Sequence, residues 1–594
     1  MLSFEMTNAQ IAKLLRNVAA SYAIKNEAKY RFQIIAYQRA ADAIQSSTAE
    51  VKDLIKEDKL EGLPGVGPSI RAHLEELIKT GEVKHFEAIM KEVPNAVFPL
   101  LDVPTFGPKK AYKLVSHFGF KNPETVIADL KKVAGQGKIA KLEGFGEKSQ
   151  QDILEAIEDF KEGNKKTKRM VLPYAAELAE TILTYLKKSD VIIDAKPLGS
   201  LRRRLSTIGD LDFAVSTKDS KKAIDYFIAY PHKERIIEQG DISASILVSS
   251  GRQVDLMTQP PDSFGSLLQH FTGSKNHNVH LRELAIKKGM SLSEKGIKIK
   301  TKTGEKTEKY ATEEAFYKAL GMDWLPPEMR EDTGEIELSL EHKLPQLIQL
   351  KDIKADFHLH SSFHIEPSHD MGISTMEEMV EKARHLGYEY IGFSEHNPSV
   401  SKHSQKEVYD ILARRKDKIE QINESNKNIR VISLLETDIL ANGEIAIDEK
   451  SLSLLDGTLV SIHSAFNMNR EDMTKRIIAG LSHPKAKILS HPTGRLLNQR
   501  PGYEVNFDEL FDFVKRNTKA LEINSWPERL DLPDIMVREA VKNGIKMVIN
   551  TDSHAKDQMD MMQFGVSVAR RGWATKQDIL NTLSYNKFMD WLKK

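Results

Sequence analysis

The stretch Gly199-Ser200-Leu201-Arg202-Arg203-Arg204-Leu205-Ser206-Thr207-Ile208-Gly209-Asp210-Leu211-Asp212-Phe213 decides how the chain is read. Two carboxylates stand one residue apart, ahead of an apolar, strand-like run. Side chains at i and i+2 of a strand share a face, so Asp210 and Asp212 are placed to hold two divalent metals side by side. The Gly-Ser turn and Arg203 before them suit a phosphate chain held against those metals, the equipment of two-metal phosphoryl or nucleotidyl transfer. A third carboxylate is expected from a neighbouring strand, and Arg252-Gln253-Val254-Asp255-Leu256-Met257 supplies Asp255 in an alternating apolar run. Asp210 and Asp212 then bridge two Mg²⁺ ions, and Asp255 completes the ion that activates a 3′-hydroxyl, while the other neutralises leaving pyrophosphate. Oxygen-only ligands beside phosphate suit Mg²⁺.

At 594 residues the chain exceeds one core, so several domains are expected. No apolar run is long enough to span a membrane, and no secretory signal opens the chain, so a cytoplasmic protein without a membrane partner is expected. The sequence has no cysteine, which excludes disulfides, zinc thiolates and thiol catalysis. Net charge is only +1, so a nucleic-acid surface must be local or work through backbone amides.

Residues from about 7 to 60 read as helices, with Tyr37, Ala40, Ala41 and Ile44 at helical spacing. Three Gly-rich hairpins follow, carrying Gly65 and Gly67, then Gly107, then Gly144 and Gly146, and each leads into a helix-like segment. Amides at such a turn, with the helix dipole, favour a phosphate oxygen and read no sequence. The turn is expected to need glycine for positive φ and close approach. Six segments are expected: 1–80 and 81–165, helical and hairpin-bearing; 166–257, the nucleotidyltransferase segment; 258–320, mixed helix and strand; 321–352, a linker; and 353–594.

From 353 on, short apolar strands alternate with helices, the pattern of a parallel α/β barrel. Eleven of the 19 histidines fall there. His358 and His360 share a strand face, and His396, Glu436, His463, His491, Asp552 and His554 each follow an apolar run. In a barrel those strand ends converge on one rim. Imidazole with carboxylate suits Zn²⁺, Mn²⁺ or Fe²⁺, and a multinuclear cluster generates hydroxide and clamps a phosphodiester. Arg495, Arg500 and Arg529 are candidates to hold phosphates.

Gly199-Ser200-x-Arg202-Arg203, Gly209-Asp210-Leu211-Asp212 and Val254-Asp255 resemble the palm of a family X DNA polymerase. Phe271-Thr272-Gly273-Ser274 with Asn278 and Arg282 resembles its fingers motif, and Tyr37-Gln38-Arg39-Ala40-Ala41 with the hairpin Leu63–Gly67 its small lyase-type domain. The histidine-rich half is similar to the polymerase and histidinol phosphatase (PHP) domain, and the order of parts is that of the bacterial family X enzymes. The resemblance implies a multidomain chain: α-helical helix-hairpin-helix domains, an α+β nucleotidyltransferase palm with fingers, and a distorted TIM-like α/β barrel. It implies that Ser200 and Arg203 grip the triphosphate, that Phe271 lies near the incoming sugar, that Asn278 and Arg282 lie near the nascent base pair and template, and that Gly199 and Gly273 belong to the same nucleotide-binding set. It implies a PHP cluster of three Mn²⁺ or Zn²⁺ ions on the eight side chains above, plus an acidic residue soon after the first His pair. Asp370 is the choice there, with His364 and His369 competing; Glu395 is expected as an outer ligand.

The activity implied is repair-type, DNA-directed filling of short gaps from dNTPs by a monomer, with a metal-dependent 3′→5′ exonuclease that extends to cleavage at abasic sites. Three positions depart from the family. His73 stands at the Schiff-base lysine, with Ser69 at a nearby basic position, and an imidazole cannot form the imine. His270 replaces a tyrosine before Phe271, which bears on sugar discrimination. Leu205 stands where a polar residue is common. Two other readings are a PHP phosphoesterase whose front half docks DNA, and a DNA-binding scaffold with a silent palm.

Overall fold

The computed structural model describes residues 6, 8–27, 29–46, 51–56, 60, 66–103, 106–161, 169–248, 252–301, 304–426, 428–498, 500 and 502–594. The chain divides into two compact units, Met1–Lys168 and Arg169–Lys594.

The first unit is helical. Asn8–Asn26, Arg31–Ser46 and Pro68–Thr80 pack Leu15, Val18, Tyr37, Ala40, Ala41, Ile44 and Leu74 into one core. Pro108–Phe118, Val126–Gly135 and Glu147–Lys161 pack Leu114, Leu130, Ile153 and Ile157 into a second. Pro68 and Pro108 open their helices, where a missing N–H costs nothing. Gly81 and Gly119 close the same two helices in the left-handed region.

The second unit opens on a five-stranded sheet of β1 (Ile192–Pro197), β2 (Leu211–Thr217), β3 (Lys233–Gln239), β4 (Ser243–Val248) and β5 (Arg252–Gln259). Its order is β1-β2-β5-β4-β3, with only the central β2–β5 pair parallel. Leu211, Phe213 and Val215 of β2 and Val254 and Leu256 of β5 are buried, in one core with Ile182, Ala223 and Phe227 of two helices. The helix Phe264–Thr272 packs Leu267 and Leu268 on Leu198 and Ala214. A three-stranded meander from 290 to 308 and the helix Glu313–Ala319 follow.

The final part carries parallel strands in two sheets rather than a closed barrel. Ala355–Leu359, Tyr390–Phe393 and Arg430–Ser433 form the first. Glu436–Asp438, Thr458–Ser461, Ala486–Leu489, Ala520–Asn524 and Met547–Asn550 form the second. Single bridges, His396 to Glu436 and Leu359 to Ser553, tie the sheets together. The strands lie close to the apolar runs of the sequence, and the pairing of the first sheet shifts register between Asp356 and Leu359, at His358.

Candidate active sites

In the palm, Asp212 pairs in register with Asp255 across β2 and β5, and Asp210 precedes β2 by one residue. Alternation on β5 buries Val254 and Leu256 and leaves Asp255 half-buried on the other face, beside Asp212. Burial, then Asp255 and Asp210, push the Asp212 carboxyl up to about 6. Burial and Asp255 raise Asp210 as well, opposed by Arg169 and Arg252. Ser245 Oγ donates to Asp255, and Gln253 Nε2 donates to both its oxygens at 3.0 and 3.1 Å. Raised carboxyls at Asp210 and Asp212, beside a third aspartate, are a donor set that a hard divalent cation relieves.

Gly199 has φ +55°, and a Cβ there would lie 2.9 Å from Asp212 Oδ2. Only glycine lets the Gly199–Ser200 turn back onto that carboxylate. Arg203 donates through NH1 to the Thr272 carbonyl at 2.5 Å, and a Cβ on Gly273, at φ +69°, would sit 3.0 Å from the same nitrogen. The turn after β1 and the turn after the Phe264–Thr272 helix thus meet at Arg203. Phe271 packs at the edge of that helix's core. Asn278 donates to the His270 carbonyl at 2.6 Å and accepts from Gln269 at 2.9 Å, and Arg282 NH2 lies 3.5 Å from His270 Nδ1. Burial and Arg282 lower the His270 pKa. Leu205 packs against the palm core, which accounts for an apolar residue there.

At the hairpins, Gly65 lies outside the described residues. Gly67 and Gly107 sit at φ −83° and −91°, so left-handed backbone does not explain them; Gly144, at φ +80°, does need it. A Cβ on Gly67, Gly107 or Gly146 would meet nothing within 4 Å. The space before these helix N-termini is open, and close approach is the reason for glycine that remains. His73 stacks on His85 with ring centroids 4.6 Å apart and takes a hydrogen bond with Tyr37 OH at 2.9 Å; Ser69 is exposed. Burial and His85 lower the His73 pKa.

In the histidine-rich part the eight candidate ligands gather at the C-terminal ends of the parallel strands, around Glu436. Glu436 Oε2 lies 2.9 Å from His396 Nδ1, 3.2 Å from His358 Nε2 and 3.6 Å from His360 Nε2. Its Oε1 lies 3.0 Å from His491 Nε2 and 3.4 Å from His463 Nε2. Asp552 Oδ1 lies 3.2 Å from His360 Nε2 and 3.4 Å from His358 Nε2. Two atoms bound to one metal at ordinary Zn–N or Zn–O lengths stand about 3.4 Å apart. His358 Nε2, both nitrogens of His360, Glu436 Oε2 and His554 Nε2 are buried with no hydrogen-bond partner among the described residues. Buried polar atoms are seldom left so, and the donor set fits a metal cluster. Four overlapping triads have metal-ligand spacing: His358–His360–Asp552, His360–His396–His554, His396–Glu436–His463 and His369–Asp438–His463. His491 and Asp552 have φ +30° and +56°, strain that aims both side chains inward.

The loop after the first His pair brings in two of its three candidates. Asp370 lies 2.9 Å from His396 Nε2 and 3.2 Å from His554 Nε2; His369 lies 3.2 Å from Asp438. His364 is 81 % exposed, with Glu366 at 3.8 Å its one ionic neighbour among the described residues. Burial works against charge on His396, yet Glu436 and Asp370 carry its pKa up to about 10; burial, His396 and His554 press His360 down to about 3.

Two residues escape the sequence reading. Asp438 sits 2.6 Å from His463 Nδ1, and Glu522 sits 2.7 Å from His358 Nδ1 while accepting the His491 backbone N–H at 2.7 Å. Both are carboxylates that fix the ring of a candidate ligand. Glu522 is hidden inside an apolar strand, and Asp438 belongs to a strand of three residues. Glu395 takes Arg415 Nε at 2.7 Å and Ser361 Oγ at 2.5 Å, so it anchors the loop beside His396. Arg495 is turned to the carbonyls of Arg529 and Leu530, and Arg500 to the Gly494 carbonyl and the Phe466 ring; neither lines the cavity. Arg529 does, with Met371 and Trp526, in a cavity of about 390 Å³ over the cluster.

Family models match in chain order. A helix-hairpin-helix domain covers 6–83, a SAM-like helix-hairpin-helix tandem 98–159, the DNA polymerase beta thumb 267–331 and the PHP domain 356–526. The chain is 32 % identical over 591 residues to the DNA polymerase/3'-5' exonuclease PolX of Bacillus subtilis, covering 99 % of this chain and 100 % of that one. DNA polymerase lambda of Rattus norvegicus is 22 % identical over 54 % of this chain and 56 % of its own length. DNA polymerase lambda of Arabidopsis thaliana is 24 % identical over 54 % and 62 %. A palm whose paired aspartates lie under a Gly-Ser turn, joined to a rim of nine histidine and carboxylate side chains and matched end to end by such a relative, makes the chain a member of the bacterial family X DNA polymerases that carry a C-terminal PHP domain.

Proposed function

We propose that this protein is a repair-type DNA-directed DNA polymerase that adds dNTPs to a 3′-hydroxyl at short gaps, with a 3′→5′ exonuclease in its PHP domain. The register of Asp212 and Asp255 beneath Gly199 carries the polymerase reading. Asp210, Asp212 and Asp255 would hold two Mg²⁺ ions, which supply an activated 3′-oxygen and charge neutralisation at the leaving pyrophosphate. Gly199, Ser200 and Arg203 take the triphosphate, Phe271 and Gly273 face the sugar, and Asn278 and Arg282, through His270, border the base pair. Gly67, Gly107, Gly144 and Gly146 present backbone amides to DNA phosphates on either side of the gap.

His358, His360, Asp370, His396, Glu436, His463, His491, Asp552 and His554 would hold three Mn²⁺ or Zn²⁺ ions, which supply hydroxide to a phosphodiester. Arg529 at the rim suits the phosphate, and the same centre suits abasic-site cleavage. His73, with its lowered pKa, offers no amine for imine chemistry. The chain acts as a cytoplasmic monomer, with the segments 1–80, 81–165, 166–257, 258–320, 321–352 and 353–594 as its working parts.

Primer extension on a one-nucleotide gap, beside 3′ degradation of single-stranded DNA, tests both centres. Asp210→Ala is expected to abolish extension and spare degradation. His358→Ala with His360→Ala is expected to do the reverse and to remove bound metal. Extension by the first variant, or unchanged metal content in the second, overturns the assignment of that centre.

A further inference from the structure

Glu331 lies where palm, thumb and PHP domain meet. Its Oε1 accepts from Arg203 Nε at 2.9 Å and from Arg571 NH1 at 3.0 Å. Arg571 ends the PHP helix Met562–Arg571 and has an 8 % exposed side chain. Its guanidinium also donates to the Arg203 backbone carbonyl at 2.8 Å and to Asp534 at 2.7 Å. Arg203 is therefore fixed at three points: Nε by Glu331, NH1 by the Thr272 carbonyl, and its own backbone by Arg571. Its NH2 makes no hydrogen bond among the described residues, which leaves that edge for a phosphate oxygen.

We propose that Arg571 of the PHP domain is a positioning residue for polymerisation: through Glu331 it holds the Arg203 guanidinium ready for the triphosphate of the incoming nucleotide. The proposal rests on the reading of Arg203 as a triphosphate ligand. Two features favour orientation over competition. Glu331 is shared between two guanidiniums and holds Arg203 by Nε alone, so the NH2 edge of Arg203 stays open to an anion. A clamped arginine loses less side-chain freedom when the nucleotide arrives, and that preorganisation appears as affinity. The PHP domain is on this account part of the nucleotide site, without lending it a metal ligand.

The test is steady-state gap filling by the full chain, with 3′ degradation of single-stranded DNA as the measure of PHP integrity. Glu331→Gln and Arg571→Ala are expected to raise KM for dNTP about tenfold, with kcat changed much less and degradation intact. Arg571→Lys should resemble Arg571→Ala, because an ammonium cannot span Glu331, Asp534 and a carbonyl as the planar fork does. Added to Arg203→Ala, Glu331→Gln should have no further effect. If Arg203→Ala itself leaves KM unchanged, the triphosphate reading fails and the proposal falls with it. If Arg203→Ala raises KM but Glu331→Gln does not, the positioning role alone is overturned, and a fall in KM for Glu331→Gln would mean competition instead. Should Arg571→Ala lose degradation through misfolding, Glu331→Gln decides, since it touches Arg203 directly.

Discussion

Asp212 and Asp255 face the same side of two parallel strands, in register, and the Asp255 carboxylate disfavours charge on Asp212. Burial comes first and the two neighbouring aspartates second in holding Asp212 at about 6. Near that pH a divalent cation must displace a proton to bind. The Mg²⁺ concentration for half-maximal primer extension should therefore rise as pH falls from 8 towards 6 and below. A midpoint independent of pH would mean that Asp212 is not a ligand.

The same shift sets a trade between stability and function. A carboxylate whose folded pKa lies above its unfolded value destabilises the fold while ionised, and the penalty lifts as pH falls through the folded pKa. Asp212→Asn should raise the melting temperature in EDTA at pH 8, keep roughly half of that advantage at pH 5 and lose most of it by about pH 4, and reduce nucleotide addition by at least about a thousandfold. Equal melting temperatures at pH 8 would show the carboxylates to be uncoupled.

Asp438 bonds His463 Nδ1 at 2.6 Å while His463 Nε2 points at Glu436. A carboxylate behind a metal-bound imidazole fixes tautomer and orientation, and its loss costs about 10–100-fold in metal affinity or activity. Asp438→Asn should slow 3′ degradation by about that factor, with polymerisation unchanged. Full degradation rates would remove Asp438 from the centre.

The candidate ligands legible in the sequence were those at the ends of apolar runs, where strand polarity alone places them on one rim: His396, His463, His491, Asp552 and His554. Asp438 and Glu522 were not legible. One follows its strand's break at Leu434–Leu435, and the other reads as a charged exception inside Ala520–Asn524. The loop carrying His369 and Asp370 has no periodicity, so only its folded path shows that both reach the rim and His364 does not. Arg495 looked like a phosphate ligand because a sequence cannot show that backbone carbonyls already occupy its guanidinium. In the palm the order of Gly-Ser, Asp-x-Asp and Asp was legible, whereas the link from Arg203 to Arg571 spans 368 positions and leaves no local trace.

Trp526 lines the cavity over the cluster, 6.3 Å from the His554 ring, and Met371 lines it too. An aromatic face beside a phosphodiester site suits a nucleobase, at about 1–3 kcal/mol per stacked base. Trp526→Ala should raise KM for single-stranded DNA about tenfold or more and leave hydrolysis of bis(p-nitrophenyl) phosphate, which has no base to stack, little changed. Equal losses on both substrates would mean that Trp526 shapes the metal centre instead.

Glu313 supports the arginine pair from the thumb side. It is 3 % exposed and takes Arg202 NH2 at 2.6 Å, Arg330 NH1 at 2.6 Å and Trp324 Nε1 at 3.3 Å. Burial alone would raise its pKa, but Arg330 and Arg202 overcome that and bring it to about 2. A folded pKa below the unfolded one stabilises above the unfolded value, near 4.5, and the gain is lost as pH falls through the folded value. The shift corresponds to a gain on the order of 3 kcal/mol at neutral pH, of which roughly half remains at pH 3. Glu313→Gln leaves two buried guanidiniums facing a neutral amide, so its cost at pH 7 should reach about 3–5 kcal/mol. Local stability is best read from exchange protection of the Glu313–Ala319 helix amides in a urea series, since a chain of several domains has no single unfolding energy. The gap between wild type and variant should narrow by roughly 2 kcal/mol between pH 7 and pH 3. A gap of constant size would place the cost in packing, and the thumb would then not depend on this carboxylate's charge.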